Sequence, residues 1–493
     1  MICSIEESPL YPIINPKSIA FFGASNTFLR MGSMMLSSVQ ALGYGGTIYP
    51  VHQKEESVRG HKAYASVMDL PEVPDLAIIV LPTAVVCKTL EDCGKKGIRH
   101  AIVVSGGFRE AGPEGAEAQK GLEAVALKYG IRFLGPNCLG VANPYLRLNP
   151  TTITSEGPPG FVGLASQSGS FITQMFDYLH RHGMGFSAAV SVGNEANIDI
   201  VDCLEYLGAC PHTKVITLYI EGITRGRKFI ETAKAITPHK PIVALYVGGS
   251  EAGRHAGRSH TGSMSGPNEI YDGVFRQCGI IRAQTLAELF DYALALGTLP
   301  KPGGNRVIIQ THSGGPGATA ADACGRAGLA LPPFSAETVE KLRPMIPKTA
   351  STANPLDLTY SLNSAQNFFD IPDVLLQEKN ADMLLAYFLS PGIFMDRILK
   401  EMGVPAESIQ AERDKMIMEH ADAFFSLTKR HPDKPIVGFT YRSLQEKMVR
   451  NLLDRGIPIY QDPERAARAM AAVLQYYRLR DGIEKSEITN NLK

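Results

Sequence analysis

Ser18-Ile19-Ala20-Phe21-Phe22-Gly23-Ala24-Ser25 reads as a buried strand running into a glycine turn. The residues beyond it repeat that pattern. A helix is expected over Met31–Leu42, closed by Gly43-Tyr44-Gly45-Gly46, and a strand over Thr47–Val51. Next come a strand at Leu76–Leu81, a helix at Thr83–Lys96, a strand at Ala101–Val104, a helix at Gly115–Tyr129 and a strand at Arg132–Leu134. Strands alternating with helices predict an α/β fold with a parallel, doubly wound sheet. Such a sheet takes a nucleotide across the carboxyl ends of its strands.

The whole chain has 493 residues, enough for about three domains by the length prior. Hydrophobic residues make up 44% and charged residues 20%, so real cores can form. Lys+Arg and Asp+Glu both count 49, which leaves no global field to draw in nucleic acid or an anionic membrane. No apolar run reaches membrane-spanning length, and Leu76–Val86 is broken by Pro82. The first sixteen residues show no basic-then-apolar signal pattern. The eight cysteines form no CxxC pair and no zinc-type cluster. The expectation is a reduced, cytoplasmic, soluble protein without a structural metal.

Several turns carry candidate chemistry. Gly23, Ala24 and Ser25 fall short of a full G-x-G-x-x-G. The second strand runs through Pro50 to Lys54, with Glu55 and Glu56 slightly late for a ribose diol. A lysine there suits a phosphorylated ribose, such as the 3′-phosphate of coenzyme A. The turns at Val80–Pro82 and at Ser105, Gly106, Gly107 and Phe108 lie at strand ends, as ligand-facing turns do. Gly135-Pro136-Asn137-Cys138-Leu139-Gly140 is a stiff turn offering an amide and a thiol. A buried apolar role for Cys138 is the simpler alternative.

Further on, Phe161–Ala165 reads as a strand and about Phe171–His182 as a helix. Between them lie Ser166, Gln167, Ser168, Gly169 and Ser170. A strand, small-residue turn and helix can bind phosphate through free N–H groups and the positive helix end. Ala188–Val192 leads into Gly193-Asn194-Glu195, and Thr217–Glu221 puts a carboxylate at a strand end. A strand near 240–249 feeds a loop of glycines and small hydroxyl residues that carries His260. A carboxylate on one ring nitrogen would leave the other free to attack phosphorus. Pro300–Gly304 has linker composition. After it, a strand at Arg306–Gln310 meets Ser313, Gly314, Gly315, Pro316 and Gly317, with a helix from about Ala318. Strands near Met383–Phe388 and Pro435–Phe439 follow, and a last helix at Pro463–Arg478.

Gly135-Pro-Asn-Cys-Leu-Gly140, Ser166-Gln-Ser-Gly-Ser170, Ser191-Val-Gly-Asn194 and Ser259-His-Thr-Gly262 together resemble the signature motifs of the NDP-forming acyl-CoA synthetases. That family includes succinyl-CoA synthetase, and the order of segments is closest to its ADP-forming acetate–CoA ligase alpha chains. The resemblance implies a three-domain chain: a Rossmann-like CoA-binding domain (1–155) and two flavodoxin-like domains (156–302 and 303–480), with a polar tail (481–493). It implies His260 as the phosphorylated residue and Glu221 as its support. It assigns phosphate to Ser166–Ser170 and to Ser313, Gly314, Gly315 and Gly317. Coenzyme A falls to Gly23, Ala24, Ser25, Pro50, Lys54, Val80, Pro82, Ser105, Gly106 and Phe108. Asn137, Cys138, Gly193 and Asn194 fall near the acyl group. The implied reaction interconverts acyl-CoA, phosphate and ADP with carboxylate, CoA and ATP. The nucleotide and Mg2+ would bind a separate ATP-grasp beta subunit in a hetero-oligomer. A phosphate-independent CoA transferase, or a CoA-binding protein without catalysis, is the alternative. A nicotinamide dehydrogenase is disfavoured by the incomplete fingerprint.

Overall fold

The computed structural model describes residues 4–153, 157–251, 253, 266–359, 366–389 and 392–491. Three main sheets organise them. In chain order the strands of the first part are β1 (Ser18–Phe22), β2 (Thr47–Val51), β3 (Ser57–Val58), β4 (His61–Lys62), β5 (Leu76–Ile79), β6 (His100–Val103) and β7 (Arg132–Leu134). The first sheet has the order β2-β1-β5-β6-β7, all parallel, and β3 and β4 form a small antiparallel ribbon. The chain leaves β1 for one edge and returns to the other side at β5. The order therefore reverses between β1 and β5, which is where a doubly wound sheet opens a crevice. Gly23 is required there: it has φ +91, and a Cβ would stand 1.9 Å from the Val80 carbonyl oxygen.

The second sheet runs β13-β12-β11-β9-β10-β8. Its strands are β8 (Val141–Ala142), β9 (Val162–Ser166), β10 (Phe186–Ser191), β11 (Val215–Ile220), β12 (Ile242–Tyr246) and β13 (Ile281–Ala283). All pair in parallel except β8, which lies antiparallel against β10. Here the order reverses between β9 and β11, so the turn after Ser166 stands beside the end of the strand leading to Glu221. The strands are continuous apolar runs, as in a parallel sheet covered on both faces. The two sheets share one core, in which Phe21, Ile78 and Ile102 join Val190, Ile216 and Leu218.

A third sheet, β15-β14-β16-β17-β18, is parallel throughout. It comprises β14 (Val307–Thr311), β15 (Leu356–Asp357), β16 (Met383–Tyr387), β17 (Ile436–Phe439) and β18 (Ile459–Tyr460). One compact unit holds the described residues through His180, from Met184 to Leu289 and from Ile483 on. The other holds Arg181–Gly183 and those of Phe290–Gly482.

Three local expectations need correction. The helix after β9 begins at Gly169 and the one after β14 at Gly314, not at about Phe171 and Ala318. In each case glycines that read as a turn form the first helical turn. Two of these glycines are closely packed: a Cβ on Gly169 would meet Leu139 at 3.0 Å, and one on Gly317 would meet Thr311 Oγ1 at 3.1 Å. The last helix runs Pro463–Asn491, past the expected stop at Arg478, because Gly482 alone does not break it. Among the described residues no helix is long and apolar enough to cross a membrane.

Candidate active site

The switch points of the first two sheets converge on one cavity of about 470 Å³. The first sheet contributes Val80, Leu81 and Pro82 after β5, and Ser105 and Gly106 after β6. The linking turn adds Asn137, Cys138 and Leu139, and the turn after β9 adds Gln167, Ser168, Gly169 and Ser170. Three groups assigned separately from sequence, for CoA, acyl group and phosphate, thus meet at one surface. The helices Thr83–Lys96 and Gly169–Arg181 both start at this cavity, and the first, with Pro82 at its N-cap, has no side-chain capping bond.

The turns are held by short polar bridges. Ser105 Oγ donates to the Leu81 carbonyl at 2.5 Å and accepts from the Leu81 N–H at 3.1 Å, tying the β5 and β6 turns together. Thr83 Oγ1 donates to the Gly106 carbonyl at 2.6 Å. Asn137 has φ +59, and its N–H bonds the Ser105 carbonyl at 2.9 Å. Ser166 Oγ donates to the Ser168 carbonyl at 2.7 Å and accepts its N–H at 3.1 Å, which shapes the phosphate-type turn from within. Gly169 and Ser170 are the more accessible end of that turn.

Not every predicted residue faces the cavity. Ala24 and Ser25 are buried under the β1 turn, where the Ser25 N–H bonds Ser33 Oγ at 2.9 Å. Pro50 is buried within β2, and Lys54 is exposed in the loop after it. The Phe108 ring lies in the core of the first sheet, so it anchors its turn from beneath. Cys138 Sγ is buried 3.5 Å from the Val103 carbonyl, and burial pushes its thiol up to about 12. It is therefore a small packing group rather than a thiolate. Gly193, at φ +57, packs against the 136–137 backbone so closely that a Cβ would come within 2.4 Å of the Pro136 oxygen. Asn194 is fully buried and bonds Glu110, Gln119 and Asn137. Gln167 also turns inward, onto the end of β11.

Glu221 follows β11 and is 5% exposed. The neighbouring strand β12 leads towards the segment that bears His260, which lies outside the described residues. In the second unit, Ser313, Gly314, Gly315 and Gly317 open the helix Gly314–Arg326 at the carboxyl end of β14.

Sequence reasoning missed what three carboxylates, Glu55, Glu110 and Glu195, hold in place. Glu55 accepts the Asn26 N–H at 3.1 Å and its amide at 2.7 Å, so this acid closes the protein's own turn instead of reading a ribose. Burial pushes the Glu110 carboxyl up, but the Asn194 amide and the N–H groups of Gly107 and Phe108 outweigh it and hold it low. Glu195 turns its carboxyl inward, and burial pushes it up to about 8 against the N–H of Ile200 and the Gln167 amide. Only its adjacency to Asn194 was visible in the sequence.

Residues 17–144 match the family described as the CoA binding domain, and residues 159–296 match that described as the succinyl-CoA ligase like flavodoxin domain. The chain is 38% identical over 463 residues to the alpha subunit of the ADP-forming acetate–CoA ligase II of Pyrococcus furiosus, covering 94% of this chain and 96% of that one. It is 37% identical over 464 residues to the ADP-forming acetate–CoA ligase I of Archaeoglobus fulgidus, covering 94% of this chain and 63% of the other. Among solved structures, the acetyl-coenzyme A synthetase 1 of Ca. Korarchaeum cryptofilum, in complex with phosphate and ADP, superposes with a TM-score of 0.83 at 32% identity. The match covers 97% of this chain and 98% of that one.

Proposed function

The chain belongs to the family of ADP-forming acetate–CoA ligases, and on that premise we propose that it is an alpha-type acid–thiol ligase chain. It converts an acyl-CoA and phosphate into an acyl phosphate and CoA, then moves the phosphoryl group to His260 and releases the carboxylate. A separate ATP-grasp subunit, holding ADP and Mg2+, completes the reaction to ATP in a cytoplasmic hetero-oligomer. The observation that carries this reading is the convergence of Ser105–Gly106, Asn137–Cys138 and Ser168–Ser170 on one cavity. A thioester there would lie against the start of the helix Gly169–Arg181. Its N–H groups suit both phosphate and the oxyanion that forms when phosphate attacks the acyl carbon.

Glu221 would bond one ring nitrogen of His260 and leave the other free to take phosphorus. The helix start at Ser313–Gly317 would be a second phosphate site. The name of the Pyrococcus furiosus relative, an alpha subunit, supports a separate partner subunit.

The test is intact mass after incubation with acetyl-CoA and phosphate, without nucleotide. Wild type gains an acid-labile group of about 80 Da and His260→Asn gains none. No gain with any acyl-CoA, while CoA still binds, would replace this reading with a phosphate-independent transferase or a binding protein.

A further inference from the structure

The turn Gly193-Asn194-Glu195 faces two ways. On one side Asn194 Nδ2 donates to Glu110 Oε2 at 2.5 Å. The other oxygen of Glu110 accepts the N–H groups of Gly107 at 2.6 Å and Phe108 at 3.2 Å, fixing the turn expected to hold CoA. On the other side Glu195 Oε2 accepts Gln167 Nε2 at 2.7 Å, and its Oε1 accepts the Ile200 N–H at 2.8 Å. Gln167 Oε1 in turn accepts the N–H groups of Glu221 and Gly222, and Nε2 also donates to the Gly222 carbonyl at 2.8 Å.

Two backbone N–H groups fix the oxygen end of that amide, so its nitrogen end must meet acceptors. Glu195 is one of the two. Without it the amide nitrogen keeps only the Gly222 carbonyl, and the side chain that binds the Glu221 and Gly222 N–H groups is held less firmly. Glu195 also holds φ +54, a conformation that a non-glycine residue keeps only where its surroundings over-determine it.

We propose that Glu195 is a positioning residue for Glu221. Acting through Gln167, it fixes the backbone at the end of β11, while its neighbour Asn194 fixes the CoA-side turn. The two halves of the site are thereby held in one register. The inference rests on the reading of Glu221 as partner of the phosphorylated histidine.

The test combines hydrogen exchange of the 217–226 segment, the rate of phosphorylation from acetyl-CoA and phosphate, and CoA affinity. In Glu195→Ala, exchange at Glu221 and Gly222 speeds up and the phosphorylation rate falls, each by about tenfold, while the CoA Kd moves less than about threefold. Glu195→Gln, which keeps the shape and one acceptor, recovers most of both losses. Unchanged exchange in Glu195→Ala overturns the inference, and so does a loss of CoA affinity equal to the loss of rate. If wild type takes up no phosphoryl group, the ligase reading fails, yet faster exchange in Glu195→Ala still establishes the clamp. Should Glu195→Ala fail to fold, Glu195→Met, of similar length but with no oxygen to accept, carries the same expectations.

Discussion

The turn after β9 and the turn after β14 are built to one plan and finished differently. Each strand ends in a hydroxyl residue that donates to the carbonyl two positions on: Ser166 to Ser168 at 2.7 Å and Thr311 to Ser313 at 3.1 Å. A helix of 13 residues follows in both. The residue between the two hydroxyls differs. In the first turn it is Gln167, an amide bonded to the end of the neighbouring strand and to Glu195. In the second it is His312, 8% exposed, with a ring that burial pushes down to about 4 while Asp357 pulls it up. The support from behind can thus be an amide on a half-buried acid or a buried imidazole. The identity of that middle residue decides how each turn answers to substitution and to pH.

The largest effect is expected where the first turn meets its neighbours. Gly169 lies 3.0 Å, measured from a notional Cβ, from Leu139 Cγ and 3.3 Å from the Leu139 N. Gly169→Val would push on a backbone atom that cannot yield as a side-chain tip can. The cost should be about 1–3 kcal/mol of stability. Because the helix start lines the cavity, phosphorylation from acetyl-CoA should fall by about a hundredfold, measured by the mass assay and by thermal unfolding. An unchanged rate would mean that phosphate does not use this helix start.

The plan common to both turns was legible in the sequence, and the difference was not. Apolar runs such as Leu76–Ile79 and Val215–Ile220, bounded by glycine and small residues, disclose buried parallel strands. The two-residue strands at 57–58, 61–62 and 141–142 are too short to show a period, and the pairing of β8 with β10 depends on a partner almost fifty residues away. Small residues at Ser166–Ser170 mark a phosphate-type turn, but nothing local says that Gln167 reaches Glu221, 54 positions on. Asn194 and Glu195 follow a glycine at a strand end, where the resemblance puts Asn194 near the acyl group. Asn194 is buried and Glu195 half-buried, held by Glu110 and Gln167 on other elements.

The pH response should separate the two turns by sign. Glu195 is a carboxyl raised from 4.5 to about 8 in the fold. Its contribution to stability is full below about 4.5, declines as pH rises and is lost above about 8, because the unfolded chain releases the proton first. His312 is lowered from 6.5 to about 4. Its contribution is present above about 6.5 and is lost as pH falls towards 4, because the unfolded chain takes up the proton first. Thermal unfolding across pH 4–9 should therefore show Glu195→Gln flattening the alkaline limb and His312→Gln flattening the acid limb, each by a few degrees. Both substitutions acting on the same limb would mean that burial is not what sets either group.

The smallest effect probes the open side of the second turn. Gly315 sits in the first turn of the helix Gly314–Arg326, and a Cβ there would meet nothing within 4 Å. Alanine costs no clash and removes backbone freedom from the unfolded chain, so Gly315→Ala should stabilise the second unit by about 0.4–1 kcal/mol. A gain of this size in thermal unfolding, beside a loss for Gly169→Val, would establish that only the first turn is packed from both sides. A loss would mean that alanine at 315 costs the first helical turn more than it removes in freedom from the unfolded chain.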